Sequence, residues 1–277
     1  MSDKLFDVSQ KICIVTGGLG QLGKNFVQEL RARDARVAVW ARHVDDQRVV
    51  AALGQEALSD PNLRFYAVDI NRKATIEAAL DDMQAAWGDA PDVLVNNAGI
   101  DTQPSAPPEV SGPFENFPEE VFREVVDVNL VGTFLACQAV GARMVAAGKG
   151  GSIINIGSIY GMVSPIQDIY AYKKEMTGVP FIKPVAYSAA KSGIYNLTRY
   201  LATYWGKQGI RVNTLTPAGV WRDTQDEIFQ RNFCARMPMG RMSQENEFNG
   251  SLIFLASQAS SFMTGSNLVV DGGWTAW

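Results

Sequence analysis

Residues 11–23 read KICIVTGGLGQLG, and this stretch decides the fold class. The run ICIVT predicts a strand covered on both faces, because strands of parallel sheets show continuous rather than alternating hydrophobicity. Gly17, Gly20 and Gly23 follow it at a spacing that permits a tight turn and close packing of the next helix on the strand. The amides at the start of that helix face outward, so the turn predicts a site for the diphosphate of a dinucleotide.

The same alternation continues along the chain. Six further apolar runs close with turn-forming or polar residues and predict strands: ARVAVWA, LRFYAVD, DVLVNNAG, GSIINIG, IRVNTLTP and NLVVDGG. Helical patterns lie between them at about residues 21–34, 45–58, 71–87, 118–147, 185–208 and 243–257. The alternation predicts an α/β fold, a three-layer doubly wound (Rossmann-type) sheet of about seven parallel strands, in a single domain over residues 1–277.

Composition limits the kinds of partner. The chain has 277 residues and a net charge of −4, which argues against nucleic acid because a phosphate-binding surface needs a basic excess. No apolar run approaches the roughly 18 residues that span a bilayer, and the nearest, at 130–142, stops at Arg143. The N-terminus lacks an apolar signal core, and three scattered cysteines suit a reducing compartment. We therefore expect a cytoplasmic protein that acts on a small molecule, with no membrane partner.

The single histidine also excludes several kinds of site. A protein with only His43 cannot form a multi-histidine metal centre, and no GxSxG elbow accompanies it for a Ser-His-Asp triad. We expect His43 at the surface and no metal site.

Three segments interrupt the regular alternation, at 101–118, 162–184 and 218–242. The first holds five of the twelve prolines. Each follows the carboxyl end of a predicted strand, the edge at which ligands bind in open α/β sheets. Long loops are often tolerated surface insertions, but three at one edge favour walls that enclose a substrate.

The end of the second predicted strand bears on the choice of dinucleotide. NAD-binding proteins commonly place a carboxylate about 20 residues after the glycine turn, where it holds the ribose 2′-hydroxyl. Here that position is Ala41, followed by Arg42, whose guanidinium can grip a 2′-phosphate in two places. The sequence therefore favours NADP(H). NAD(H) stays possible, because Asp45 and Asp46 could fold back towards the ribose.

Eight motifs in order resemble the short-chain dehydrogenase/reductase superfamily, in its compact single-domain branch, over nearly the whole chain. They are TGGLGQLG at 16–23, Asp69 in AVDI, NNAG at 96–99, DVNLVG with Asn129, INIGS ending at Ser158, YSAAK at 187–191, VNTLTPAG at 212–219 and the tail TGSNLVVDGGW. The resemblance implies a catalytic tetrad of Asn129, Ser158, Tyr187 and Lys191. Together with Arg42 it gives the expected cofactor contacts: Gly17, Gly20, Gln21, Leu22, Gly23, Asp69, Ile70, Asn97, Ala98, Gly99, Tyr187, Lys191, Pro217, Gly219 and Val220.

The tetrad makes chemical sense. Hydride transfer to a ketone leaves alkoxide charge, so a proton donor must be in reach. Lys191 lies four residues after Tyr187, on the same helical face, and its ammonium should lower the pKa of the phenol. Ser158 is implied to stabilise the substrate oxygen, and Asn129 to hold a water that connects the lysine to solvent. An isolated Tyr–Lys pair would be only a weak surface contact, and the other motifs favour catalysis.

Two positions depart from the family pattern. Gln21 stands where the compact branch usually has glycine, and this glycine spacing is typical of the longer, sugar-nucleotide-modifying branch. Tyr187 follows Ser158 by 29 residues, so that 162–184 is an inserted loop near the expected active site. Its role cannot be transferred from the family.

The inserted loop guides the expectation about substrate. It contains three lysines and three aromatic residues, which suit a sugar, a sugar acid or another polyhydroxylated compound: Lys173, Lys174, Lys183, Tyr170, Tyr172 and Phe181. A lid or subunit contact with solvated lysines explains them equally well.

We expect an NAD(P)-dependent oxidoreductase that interconverts a secondary alcohol and a ketone. The alternatives are a nucleotide-sugar epimerase or dehydratase, and a non-catalytic NADPH-binding sensor. The resemblance further implies a homotetramer or homodimer through the helices at 118–147 and 185–208. Leu197, Leu201 and Trp205 form a stripe on the second of these, which a core would explain equally well.

Overall fold

The computed structural model describes residues 4–102 and 106–277. The strands in that part of the chain are β1 Ile12–Thr16, β2 Arg36–Ala41, β3 Leu63–Ala67, β4 Val93–Asn96, β5 Gly151–Ile156, β6 Ile210–Pro217 and β7 Asn267–Val270. They form one parallel sheet in the order β3-β2-β1-β4-β5-β6-β7. Each predicted strand run contains one of them, and the predicted doubly wound, single-domain α/β fold is confirmed.

Helices cover both faces of this sheet. They are α1 Gln21–Arg31, α2 Asp46–Leu53, α3 Lys73–Trp87, α4 Glu119–Val126, α5 Gly132–Ala147, α6 Ile159–Met162, α7 Tyr172–Thr177, α8 Val185–Trp205, α9 Glu227–Cys234 and α10 Asn249–Ala256. Two of them, α2 and α10, depart most from the predicted ranges. The pattern at 45–58 breaks at Gly54, whose φ of 89° ends α2 before a 3-10 turn at Gln55–Ser59, and the pattern at 243–257 becomes helical only at α10.

β1 shows how one strand serves two cores. All five of its residues are buried, and the side chains alternate between the two faces of the sheet. Ile12 and Ile14 pack with side chains of α3, α5 and α8, whereas Cys13 and Val15 pack with side chains of α1 and α10. Burying one large aliphatic side chain stabilises the fold by about 1.5–3 kcal/mol, so each helical layer contributes substantially.

The stripe on α8 belongs to the first of these cores. Leu201 and Trp205 are buried in it and Leu197 packs against it. The outer face of α8 carries Tyr200 and Tyr204, both exposed. A core therefore explains the stripe.

The predicted helix at 118–147 is continuous but changes type. A π-helical turn at Asp127–Val131 joins α4 to α5. By length and composition alone, the run Glu119–Ala147 could cross a membrane, so the expectation that no segment approaches such a length is wrong. Half of its most apolar window is buried inside the protein, where Ala136, Val140 and Met144 lie in the first core, and core helices often pass the same test.

The three interrupting segments follow β4, β5 and β6 at one edge of the sheet. Residues 103–105 of the first lie outside the described part of the chain. The segment after β5 is a folded unit, with a 3-10 turn at Gln167–Tyr170 followed by α7. Its aromatic residues pack with those of α9 in a third buried cluster, which joins the second and third segments.

Candidate active site

The carboxyl edge of the sheet encloses a cavity of about 660 Å³. It extends from the glycine turn after β1 to the segments after β5 and β6. Nearly all the predicted cofactor contacts line it: Gly17, Gly20, Gln21, Leu22, Arg42, Asp69, Ile70, Asn97, Ala98, Gly99, Tyr187, Lys191, Pro217, Gly219 and Val220. Gly23 is the exception, because it lies behind the turn.

The glycine turn brings α1 against β1 more closely than any side chain would permit. Gly17 has a φ of 62°, in the left-handed region, and a Cβ on Gly23 would lie 2.2 Å from the Gly17 carbonyl oxygen. Gly20 precedes α1 without a side-chain cap, so the first amides of the helix stay available to an anion. Gly23 therefore shapes the site by packing rather than by lining it.

The start of the segment after β4 fixes this turn. Thr16 Oγ1 accepts from the backbone amides of Asn97 and Ala98, each at 3.0 Å. In return, Asn97 Nδ2 donates to the carbonyls of Thr16 at 3.0 Å and Gly17 at 3.1 Å. The turn is thus held by reciprocal hydrogen bonds between two neighbouring strand ends. This preformed cradle fits the diphosphate of a dinucleotide.

The two acidic side chains considered for the ribose, Asp45 and Asp46, lie at the start of α2 and do not line the cavity. Asp45 caps α2 by accepting from the Arg48 amide at 2.8 Å, and it also accepts from Arg48 Nε at 3.1 Å. Asp69 accepts from the Asn71 amide at 3.0 Å and still lines the cavity. Arg42 is exposed at the cavity wall. His43 beside it is exposed, as expected.

Three members of the predicted tetrad meet in the cavity. Ser158 precedes α6, and Tyr187 and Lys191 lie in the first two turns of α8. Lys191 Nζ lies 5.8 Å from the centroid of the Tyr187 ring and donates to the Ile156 carbonyl at 2.7 Å. The lysine is only 4% exposed, so its charge acts in a poorly solvated environment.

Asn129 lies behind the cavity, fully buried in the π-helical turn. Its Oδ1 accepts from the Ile100 amide and its Nδ2 donates to the Ile100 carbonyl, both at 2.8 Å. A Cβ on Gly99 would lie 2.8 Å from this Oδ1, so glycine leaves room for the amide. Both ends of the Asn129 side chain thus position the chain that leads to Asp101.

The pKa values of the Tyr–Lys pair differ from the simple expectation. Burial raises the pKa of Tyr187, and the Asp101 carboxylate raises it further, while a hydrogen bond with Ser158 acts in the opposite direction. Burial lowers the pKa of Lys191 to about 8, and Asp101 opposes that shift. The net shift of the Tyr187 pKa is therefore upward, opposite to the predicted lowering, because burial dominates.

An ion pair that sequence reasoning did not identify lies beside the tyrosine. Lys183 Nζ is 2.5 Å from Asp101 Oδ2 and donates to the Thr102 carbonyl at 2.9 Å. The same Nζ lies 5.7 Å from the centroid of the Tyr187 ring. The sequence named Lys183 among three lysines of the inserted loop but gave no reason to choose it. Asp101, two residues after NNAG, carried no family signal.

The other two lysines of the inserted loop do not line the cavity. Lys173 Nζ lies 2.9 Å from Asp226 Oδ2 at the start of α9, and Tyr172 donates to the same oxygen at 2.6 Å. Lys174 is exposed. Of the three lysines of the inserted loop, Lys183 lines the cavity, whereas Lys173 joins two segments.

Gln21 joins the cofactor turn to the third segment. Its Oε1 accepts from Arg222 Nε at 2.5 Å, and its Nε2 donates to the Trp221 carbonyl at 3.2 Å. Arg222 also lines the cavity. The glutamine at this position, where the compact branch usually has glycine, thus connects the glycine turn to the segment after β6. The sequence did not reveal this contact.

Comparisons with known proteins give a consistent picture. A family model described as enoyl-(acyl carrier protein) reductase matches residues 20–275. The D-threitol dehydrogenase of Mycolicibacterium smegmatis is 30% identical over 279 residues, covering 98% of this chain and 95% of that protein.

Solved structures agree. A short-chain dehydrogenase from Leptospira borgpetersenii with bound NAD+ is 32% identical, with a TM-score of 0.83 over 99% of this chain and 96% of that one. A gluconate 5-dehydrogenase from Burkholderia cenocepacia, in complex with NADP and tartrate, is 29% identical, with a TM-score of 0.82 over 99% of this chain and 98% of that one. Both structural matches therefore extend over nearly the whole chain.

Proposed function

The chain belongs to the short-chain dehydrogenase/reductase family, and from that premise we propose that it is an NADP(H)-preferring dehydrogenase of a polyhydroxylated secondary alcohol. Membership establishes the coarser activity, an NAD(P)-dependent oxidoreductase acting on a hydroxyl group. One observation carries the finer proposal: a single cavity joins the glycine turn to Ser158, Tyr187 and Lys191.

The cofactor would be held along the cavity by the chain's own backbone. The turn from Gly17 to Leu22 offers amides to the diphosphate, and Asp69, Ile70 and the residues Asn97 to Gly99 line the adenosine side. Pro217, Gly219 and Val220 lie along the other end. When bound, a nicotinamide dinucleotide supplies or accepts the hydride.

Tyr187 would transfer the proton. Its raised pKa keeps the phenol protonated at neutral pH, so the hydroxyl can donate to a substrate oxygen that gains negative charge as a ketone is reduced. The Ser158 hydroxyl, which lines the same cavity, would stabilise that oxygen by a second hydrogen bond. The Lys191 ammonium below the ring favours the phenolate that results, and Asn129 positions the loop opposite.

The preference for NADP(H) follows from the charges near the second strand. Arg42 is exposed at the cavity, where a 2′-phosphate would meet it. The carboxylate of Asp45 is committed to Arg48 and to the amide that it caps, which leaves the guanidinium of Arg42 unopposed by that side chain. Both features favour a phosphate over a free hydroxyl.

The substrate class is supported by polar groups at the tyrosine end of the cavity. Asp101, Lys183, Tyr160 and Tyr170 line it together with Tyr187, and the hydroxyl oxygens of Tyr160 and Tyr170 lie 3.4 Å apart. Relatives act on related compounds, as the names D-threitol dehydrogenase and gluconate 5-dehydrogenase state. A substrate with several hydroxyl groups would satisfy these side chains.

We further propose a cytoplasmic homotetramer or homodimer, without a nucleic-acid or membrane partner. The outer face of α8 presents the stacked rings of Tyr200 and Tyr204, with centroids 6.0 Å apart, and Phe134 on α5 is also exposed. Aromatic side chains exposed on neighbouring helices are typical of subunit contacts. Sedimentation of the purified protein tests this directly.

The test of the function is a panel of polyols, sugars, sugar acids and simple secondary alcohols, each assayed with NADP+ and with NAD+. We expect net reduction of free NADP+ with at least one polyol, at a kcat/KM above that with NAD+. Conversion of a nucleotide sugar without net reduction would indicate an epimerase. Tight NADPH binding without turnover of any compound would indicate a sensor.

A further inference from the structure

We propose that the Asp101–Lys183 ion pair is a specificity site that binds a second hydroxyl group of a neutral polyol, next to the carbon that reacts. The inference rests on the proposed function and adds the residues that select the substrate. The pair lines the cavity beside Tyr187, whereas the predicted tetrad accounts only for the reacting alcohol.

The pair is rigidly built from two separate segments. Asp101 and Lys183 are 82 residues apart in the chain, yet Nζ and Oδ2 approach to 2.5 Å. Gln167 holds the backbone of Lys183 on both sides, accepting from its amide at 2.9 Å and donating to its carbonyl at 3.1 Å. The adjacent Ile182 amide donates to the Ser111 carbonyl at 2.8 Å. The two charges are therefore positioned before any substrate arrives.

Stability alone gives little reason for such a pair. Lys183 is 6% exposed, and removing two charges from water costs about as much as their attraction returns. Apolar side chains of similar size would often stabilise the fold equally well. An ion pair that joins a buried lysine to a carboxylate side chain 27% exposed, at the wall of a ligand cavity, is better explained by recognition of a polar ligand.

The chemistry of the pair matches a hydroxyl group. A carboxylate only accepts hydrogen bonds and an ammonium only donates them, whereas a hydroxyl does both. Lys183 carries three N–H donors, and Asp101 and Thr102 accept two of them. A substrate hydroxyl can thus donate to Asp101 and accept from Lys183. The 5.7 Å between Lys183 Nζ and the Tyr187 ring centroid places that hydroxyl next to the reacting carbon.

The same arrangement disfavours two other kinds of substrate. A carboxylate at this position would lie against Asp101, and two adjacent negative charges in a buried site repel each other. An alkyl group would displace the water that hydrogen-bonds to both ions, and it offers no hydrogen bond in return. The site therefore favours a neutral polyol over both a sugar acid and a simple alcohol.

Three four-carbon compounds test this: D-threitol, D-threonate and 2-butanol. In wild-type protein with NADP+, we expect kcat/KM for D-threitol to exceed that for each of the others by about 10- to 100-fold, because unpaired buried polar groups strongly disfavour a substrate that lacks a hydroxyl. Lys183→Met should reduce the D-threitol to 2-butanol ratio by most of that factor. Using the ratio cancels any change in the chemical step itself.

Lys174→Met is the matched control, because this lysine lies in the same inserted loop and is exposed. It should leave the ratio within twofold of wild type. If Lys183→Met folds poorly because the Asp101 carboxylate loses its ammonium partner, Lys183→Met combined with Asp101→Asn removes both charges and should show the same loss of preference. An unchanged ratio in either variant would overturn the proposal.

A binding measurement separates this inference from the proposed function. Saturation-transfer NMR on wild-type protein should detect D-threitol more strongly than 2-butanol, and Lys183→Met should abolish that difference. Absence of turnover with preserved, Lys183-dependent D-threitol binding would sink the proposed function alone. No D-threitol binding by wild-type protein, or equal binding by the variant, would sink the specificity site.

Discussion

The two halves of the cavity are held by different kinds of contact. In the cofactor half, Thr16 and Asn97 join neighbouring strand ends through hydrogen bonds to and from the backbone. In the substrate half, ion pairs such as Asp101–Lys183 and Lys173–Asp226 connect segments that are distant in the sequence. Each of these hydrogen bonds in the cofactor half has a backbone group at one end, whereas both partners of each ion pair in the substrate half are side chains. Substitutions in the two halves should therefore have different consequences.

Tyr187 lies where the two halves meet, and its removal should have the largest effect. Tyr187→Phe keeps the ring but removes the hydroxyl proposed as proton donor, so we expect kcat to fall by about 10²- to 10⁴-fold. NADPH binding, measured by fluorescence titration, should stay near wild type because the glycine turn is untouched.

Tyr200→Phe is the matched control on the same helix, since Tyr200 is 63% exposed. Its turnover should equal that of wild type. Turnover near normal in Tyr187→Phe would show that another group transfers the proton. Tyr187 would then not mark the place where the cofactor half meets the substrate half.

Arg42 tests how much one charged side chain contributes to cofactor preference. Arg42→Ala removes the guanidinium proposed for the 2′-phosphate, so we expect KM for NADP+ to rise by about 10- to 100-fold while KM for NAD+ changes little. Steady-state kinetics with both cofactors measure this.

Arg33→Ala serves as the control, because Arg33 pairs with Glu29 and does not line the cavity. It should affect both cofactors equally and weakly. Parallel changes for NADP+ and NAD+ in Arg42→Ala would refute the preference for NADP(H).

The pH dependence of ketone reduction tests the Tyr187–Lys191 pair on α8. Burial lowers the pKa of Lys191 to about 8, so its ammonium is present below that pH and is lost above it. The pKa of Tyr187 is raised, so the phenol keeps its proton through the same range. Ketone reduction should be flat below pH 8 and fall by about tenfold per unit above it.

The measurement is a pH profile of kcat/KM for reduction. Lys191→Arg keeps a positive charge at all these pH values, so its profile should lack the fall near pH 8 even if the rate is lower. A fall at the same pH in that variant would assign the titration to another group.

The fold around the cofactor half could be predicted from the sequence because its determinants are local. A strand, a glycine turn and a helix are contiguous, and the NNAG stretch follows the strand next to it in the sheet. Hydrophobic patterning placed all seven strands, and the motifs placed the Tyr187–Lys191 pair on one helix. Among the predicted cofactor contacts, Gly23 alone does not line the cavity, because it packs behind the turn.

The substrate half could not be predicted in the same way. Nothing in the composition of the inserted loop distinguishes Lys183, which meets Asp101, from Lys173, which meets Asp226. Both partners come from other segments, and such pairings depend on the tertiary fold. The pKa of Tyr187 was mispredicted for a related reason: helical spacing reveals Lys191, whereas burial and the Asp101 carboxylate emerge only in three dimensions.

The smallest expected effect is at Asp226, which joins the inserted loop to α9 without lining the cavity. Asp226→Asn keeps an acceptor for the Phe229 amide, which Asp226 caps at 2.8 Å, but removes the charge that Lys173 meets. Partly exposed pairs of this kind contribute about 1 kcal/mol or less, so we expect KM for the alcohol to rise about two- to fivefold with kcat unchanged. Because Lys173→Met breaks the same contact, the double variant should be no worse than the more affected single variant. Additive losses would show that Lys173 and Asp226 act separately. This ion pair would then not join the inserted loop to α9 in the way proposed for the substrate half.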